Sequence, residues 1–112
     1  MVTRKLYREQ WRSYFEWISA EAQKHQVDVR LLAEGESVVA HTPVTLERLV
    51  YDAASDLLEV CTQTVDHVIP QPARIYVDEF REAVACIEVV QSNGSHHLIR
   101  LVRPVCLPRV DA

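Results

Sequence analysis

Tyr7, Trp11, Phe15, Ile18 and Ala22 recur at steps of three and four, a spacing that sets all five on one stripe of an α-helix and on no single face of a strand. Arg8, Glu9, Arg12, Glu16 and Glu21 fall mainly on the other side. The helix therefore has one wet face and one face that another element must cover. Tyr14 and Trp17 flank the stripe. Trp17 has no assured place in the core, which makes it a candidate interface residue, since aromatics are favoured at interface centres. Lys24 and His25 stand where cations complement the negative end of the helix dipole.

The chain beyond the helix must supply that cover, and its period is two. Val27, Val29, Leu31 and Ala33 alternate with Asp28, Arg30 and Leu32, the mark of a half-buried strand. Gly35 allows a turn, after which Ser37 to Ala40 can return before Pro43 interrupts. Leu46 to Tyr51 and Leu57 to Thr62 flank the short polar-ended stretch Asp52 to Asp56 and read as a hairpin. Val65 to Ile69 runs into Pro70-Gln71-Pro72, a stiff crossing, and Arg74 to Val77 is a short strand.

The last hairpin fixes its own register. A two-residue turn at Asn93-Gly94 would pair Glu88 with Ile99 and Ile87 with Arg100, mixing charge and core on one face. A three-residue loop, Ser92-Asn93-Gly94, instead pairs Ile87 with Ile99 and Ala85 with Leu101, and gives Gly94 the left-handed position of a bulged turn. Ala83 to Val90 is too apolar for an open edge, so it is expected in the middle of the sheet or against another chain. The architecture expected is α+β: an N-terminal amphipathic helix packed on a five- or six-stranded antiparallel sheet, flat and twisted or curled into a small barrel. Residues 1–103 form the single domain, and 104–112, with two prolines, an irregular exposed tail.

Composition narrows the function classes. With 48% hydrophobic residues the chain can bury a core, and a net charge of -4 disfavours nucleic-acid binding, which draws on Lys and Arg neutralising phosphate. Arg74 and Tyr76 alternate onto one face as an RNA-stacking pair would, but two residues on an acidic protein are too few. The first nine residues hold no apolar signal region, and no apolar run approaches the roughly 20 residues of a membrane span. Cys61, Cys86 and Cys106 are odd in number and lack a Cys-x-x-Cys pair, which reads as buried, reduced thiols in a cytoplasmic protein.

Several segments together resemble a known family. They are the helix with Trp11 and Phe15, Leu49-Val50-Tyr51-Asp52 followed by Asp56 to Val60, and Asp66-His67-Val68-Ile69 with Pro70; Ile75 to Glu79 and the hairpin strand Ile87 to Val90 complete the set. The chain is similar over about residues 6–102 to short bacterial proteins of the DUF5335 type, a domain of unknown function. A small residue near position 48 and no tail after residue 103 are the family's habit, and this chain departs from both. The resemblance implies a compact α+β domain and carries no activity.

The residues with chemical potential are few. Asp66-His67 could serve acid–base catalysis, a carboxylate fixing the tautomer of an imidazole. Adjacent strand residues point to opposite faces, however, so without a bend Asp66 bonds a turn amide and His67 only closes the sheet. His96 and His97, with His41 and His67, could be argued as a metal site, but no cysteine or carboxylate stands at ligand spacing. In the preferred register His97 shares the face of Ile99 while His96 faces solvent. Cys86 and Glu88 share a strand face, with Arg100 across from it; as a nucleophile Cys86 lacks a base and reads as a structural thiol, and Cys86 and Glu88 stand as candidate interface residues. Asp52 and Asp56 lack the Asp-x-Asp-x-Asp-Gly framework of a calcium loop and read as turn chemistry. Gly35 and Gly94 alone cannot build a phosphate loop.

The function expected is a non-enzymatic interaction or regulatory module, self-associating or binding another protein, through Trp17, Cys86 and Glu88, with no cofactor and no metal. The alternative is a small metal-dependent protein or enzyme using Asp66, His67 and the other histidines.

Overall fold

A computed structural model describes residues 2–33 and 43–106. The elements are β1 (Val2–Leu6), α1 (Arg8–Lys24), β2 (Asp28–Ala33), β3 (Val44–Asp52), β4 (Leu57–Thr62), β5 (Asp66–Pro70), β6 (Pro72–Phe80), β7 (Ala83–Gln91) and β8 (His96–Cys106). The strands form one antiparallel sheet in the order β1-β6-β7-β8-β2-β3-β4-β5. The helix stripe behaves as its spacing dictates: Trp11, Phe15 and Ile18 are buried, while Tyr7 caps the helix from outside, 61% exposed. The Gln10 side chain accepts the Tyr7 amide hydrogen at 3.0 Å, and the Trp11 indole donates to the Leu6 carbonyl at 3.0 Å, fixing the step from β1 into α1.

The sheet curls around a core on its concave side. Leu31, Leu49, Leu58, Ile69, Ile75, Val77, Ile87 and Ile99 reach it from seven strands, β2 to β8, and meet Trp11, Phe15 and Ile18 there. β2 and β3 pair only at Asp28↔Thr45 and Val29↔Val44. Beyond that point α1 takes the place of β2 beside β3. The Ser19 hydroxyl accepts the Leu49 amide hydrogen at 2.8 Å and lies 2.9 Å from the Leu49 carbonyl, so one side chain of a helix stands in for a neighbouring strand.

The expected sheet of five or six strands is an eight-stranded one, and it does not close into a barrel. At the seam the end of β5 and the residue after it are tied to the β7–β8 hairpin: Gln91 Nε2 donates to the Pro70 carbonyl at 2.8 Å and the Ser92 amide to the Gln71 carbonyl at 3.0 Å. β1 is an addition, missed because its residues are exposed except Leu6. β6 starts at Pro72 and is longer than expected, leaving only Gln71 (φ 50°) to turn the chain out of β5. Where an irregular tail is expected from Pro104, β8 continues to Cys106, with Val105 buried opposite Val84. The return strand expected at Ser37 to Ala40 lies outside the described residues.

The closing hairpin has the expected register. Ile87 pairs with Ile99, the Gly94 amide bonds the Gln91 carbonyl at 2.9 Å, and Gly94 sits at φ 91°. A bulge between Val84 and Cys86 removes the expected Ala85–Leu101 pair. β7 is interior, hydrogen-bonded to β6 and β8, with buried residues on both faces. No described helix is long and apolar enough to cross a membrane.

Candidate functional site

The pleat separates Asp66 from His67. His67 points to the concave side with Ile69, while Asp66 lies on the convex side opposite Cys61. The acid–base pair therefore does not assemble, and each member joins a different group.

Asp66, Cys61 and Glu59 place one potential ligand atom each within 4.8 Å of one another, the one such trio among the described residues. Arg48, the cross-strand neighbour of Cys61, acts electrostatically on the thiol and on both carboxylates. Its guanidinium already supplies the positive charge that a cation would bring. Burial pushes the Cys61 thiol up in pKa, Glu59 adds to this, and Arg48 opposes it. A thiol held protonated is a poor nucleophile.

On the concave side His67 Nε2 and His97 Nδ1 stand 3.1 Å apart, and the far nitrogen of His97 lies 2.7 Å from Gln91 Oε1. His97 is 9% exposed. His96, one residue earlier, faces the other way, 3.7 Å from Glu88, as the register requires. The histidines considered together thus split: His67 and His97 meet, His96 is apart, and His41 lies outside the described residues. The meeting joins residues thirty positions apart on strands that are not neighbours, and no local spacing announces it.

Among the described residues no helix lies on the convex face of β6, β7, β8 and β2. Across the ladder one row runs Thr3, Asp78, Cys86, Arg100, Arg30, and the adjacent row Lys5, Tyr76, Glu88, Leu98, Leu32. Tyr76, Leu98 and Leu32 are half-buried, while Cys86 and Val90 are buried beneath their neighbours. Burial pushes the Cys86 thiol up in pKa, Asp78 adds to this, and Arg100 opposes it. Asp78 accepts the Thr3 hydroxyl at 2.5 Å. Arg30 and Arg100 face each other directly, both exposed, and among the described residues neither makes an ion pair. Like charges at directly opposed sheet positions destabilise the pair. The candidate interface residues Cys86 and Glu88 lie on this face; the arginine pair escaped sequence reasoning because β2 and β8 are distant in the chain.

Trp17 does not share this face. It is half-buried against the core, edge-on to Tyr14 with ring centroids 5.4 Å apart. Between α1 and β3 lies an open groove of about 930 Å³. It sets Arg8, Arg12 and Arg48 against Glu9, Glu16 and Asp52, so its charge is balanced and selects no ionic ligand. At its end Tyr51 donates to Asp56 at 2.8 Å and Arg8 reaches both, a brace between helix and hairpin. Asp52 accepts the Ala54 amide hydrogen at 3.0 Å, the turn chemistry expected of it.

A model of a family of unknown function, DUF5335, matches residues 2–110. An uncharacterized protein of Aquifex aeolicus (strain VF5) is 32% identical over 112 residues, covering 96% of this chain and 99% of its own. No solved structure matches.

Proposed function

The chain belongs to the DUF5335 family, whose function is unknown, and on that premise we propose that it is a self-associating interaction module, two copies stacking through the convex face of β6, β7, β8 and β2. The observation that carries this reading is the Arg30–Arg100 juxtaposition on a half-apolar, helix-free face whose acids, Asp78 and Glu88, lie on the other two strands. A two-fold axis parallel to the strands and between β7 and β8 exchanges β7 with β8 and β6 with β2. It sets Asp78 over the partner's Arg30, Cys86 over the partner's Arg100 with Glu88 alongside, and Tyr76 over the partner's Leu32. The face is then complementary to itself, as an isologous interface must be. It also brings acids to the arginines that lack them. Stacked sheets of this kind pack about 10 Å apart with interleaved side chains.

A charge swap tests it. Asp78 and Arg30 are three ladder spacings apart within one chain, roughly 14 Å, so they do not contact each other in a monomer. Sedimentation equilibrium of the untagged full chain is expected to show a dimer that Asp78→Arg weakens, that Arg30→Asp weakens, and that the double swap restores. Circular dichroism confirms that each variant is folded. A wild type that stays monomeric through 100-micromolar-scale concentrations, or a double swap no better than the singles, refutes the interface.

A further inference from the structure

We infer that His67 and His97 form a transition-metal site on the concave side of the sheet, apart from the face used in the proposed self-association. Two imidazole nitrogens each ~2.0–2.1 Å from one ion, at angles between square-planar and tetrahedral, stand about 2.9–3.4 Å apart. His67 Nε2 and His97 Nδ1 are 3.1 Å apart, within that range. They come from β5 and β8, strands that the sheet order places far apart and the curl brings face to face.

Gln91 sets the chemistry of the His97 ring. Its amide nitrogen is committed to the Pro70 carbonyl at 2.8 Å, which leaves Oε1 to face His97 Nε2 at 2.7 Å. His97 then donates from Nε2, and in the neutral ring Nδ1 carries the lone pair that faces His67. An imidazole whose far N–H is held by an oxygen and whose near nitrogen faces the ion is the arrangement that orients metal-bound histidines. In the metal-free protein His67 Nε2–H donates to that lone pair. To bind, His67 moves its proton to Nδ1 and both near nitrogens turn their lone pairs to the ion, so no oxidant or further reactant is needed. Two protein ligands leave coordination positions open to water or another donor. The donor set suits a divalent ion of the Zn²⁺, Ni²⁺ or Cu²⁺ kind, and nitrogen ligation disfavours Ca²⁺ or Mg²⁺.

The test uses untagged full-length protein, with Zn²⁺ for affinity by calorimetry and Cu²⁺ for spectroscopy. One equivalent is expected to bind, and the Cu²⁺ electron paramagnetic resonance spectrum should carry hyperfine structure from two imidazole nitrogens. Gln91→Ala should lower affinity roughly 10- to 100-fold, and His67→Ala or His97→Ala should lower it further. His96→Ala, on the opposite face of the same strand, should leave it unchanged. Absence of saturable binding overturns the site, as does binding that survives His97→Ala. The wild-type spectrum needs no variant to fold: fewer than two coordinated nitrogens also overturns it. Dimer formation is measured separately, so failure here leaves the self-association reading standing.

Discussion

Ser19→Ala separates local helix preference from tertiary bonding, because the two predict opposite signs. Alanine is the better helix former, by about 0.5 kcal/mol over serine, so a free helix would gain from the change. In this fold the Ser19 hydroxyl accepts the Leu49 amide hydrogen at 2.8 Å, and its own proton is shared between the Leu49 carbonyl at 2.9 Å and the Phe15 carbonyl at 2.8 Å. Leu49 is 1% exposed, and β2 has already left that edge of β3. Truncation therefore forfeits a hydrogen bond of about 1 kcal/mol and leaves a buried amide unpaired at a cost of about 1–3 kcal/mol. Set against the propensity gain, the net loss is about 2 kcal/mol, or roughly 8 °C in Tm for a chain of this size. Ser13→Ala on the same helix is the control, since Ser13 is exposed and, among the described residues, its hydroxyl bonds only the Gln10 carbonyl at 3.3 Å. Urea unfolding of both variants measures the difference. If Ser19→Ala lies within about 0.5 kcal/mol of Ser13→Ala, the bond to β3 contributes nothing to stability and its assigned role is refuted.

Strain and burial lead to two more expected outcomes. The Tyr14 hydroxyl is buried with no hydrogen-bond partner among the described residues, so Tyr14→Phe should stabilise the fold by about 1 kcal/mol in urea titrations. Burial, reinforced by Glu79, raises the Tyr14 pKa above its ordinary value of 10.0. The unfolded chain then loses its phenolic proton first, and the stability present below pH 10 is lost as pH climbs beyond it. Tyr14→Phe should blunt that alkaline loss, and an unchanged pH profile would count against it. The β6–β7 turn places Arg81 and Glu82 at φ 50° and 62°, where L residues other than asparagine or glycine are strained. Arg81→Asn with Glu82→Gly should raise the unfolding midpoint by an amount worth about 1 kcal/mol, after allowing for the lost Arg81 contact with Phe80. A lower midpoint would show the turn to be held by something other than local geometry.

Local pattern revealed the elements whose burial is one-sided. The stripe of Trp11, Phe15 and Ile18 and the Gly94 loop are where periodicity and turn chemistry place them. β1 escaped because an edge strand can be polar on both faces: Thr3, Arg4 and Lys5 look like a disordered start until β6 is beside them. The strand count fell short for the same reason, together with a crossing at Pro70-Gln71-Pro72 that proves to be one residue between two strands. In the sites, the divergence of Asp66 and His67 could be read from the pleat alone. The company each keeps could not. Cys61 beside Asp66 depends on the register of the β4–β5 hairpin, while His97 against His67 and Arg30 opposite Arg100 depend on strand order and curl, which no window of sequence encodes.

The ladder between β1 and β6 also has a consequence in time. The Thr3–Asp78 bond spans 75 residues of chain. At translation rates of about 5–20 residues per second, β1 leaves the ribosome on the order of 4–15 s before its partner strand exists. During that interval an apolar β1 would be a sticky ribbon offered to any other nascent chain. Thr3, Arg4 and Lys5 make it one that water can hold until Asp78 and Glu79 arrive to receive it. The same polarity that hides the strand from pattern reading lets the chain be made in the order in which it is written.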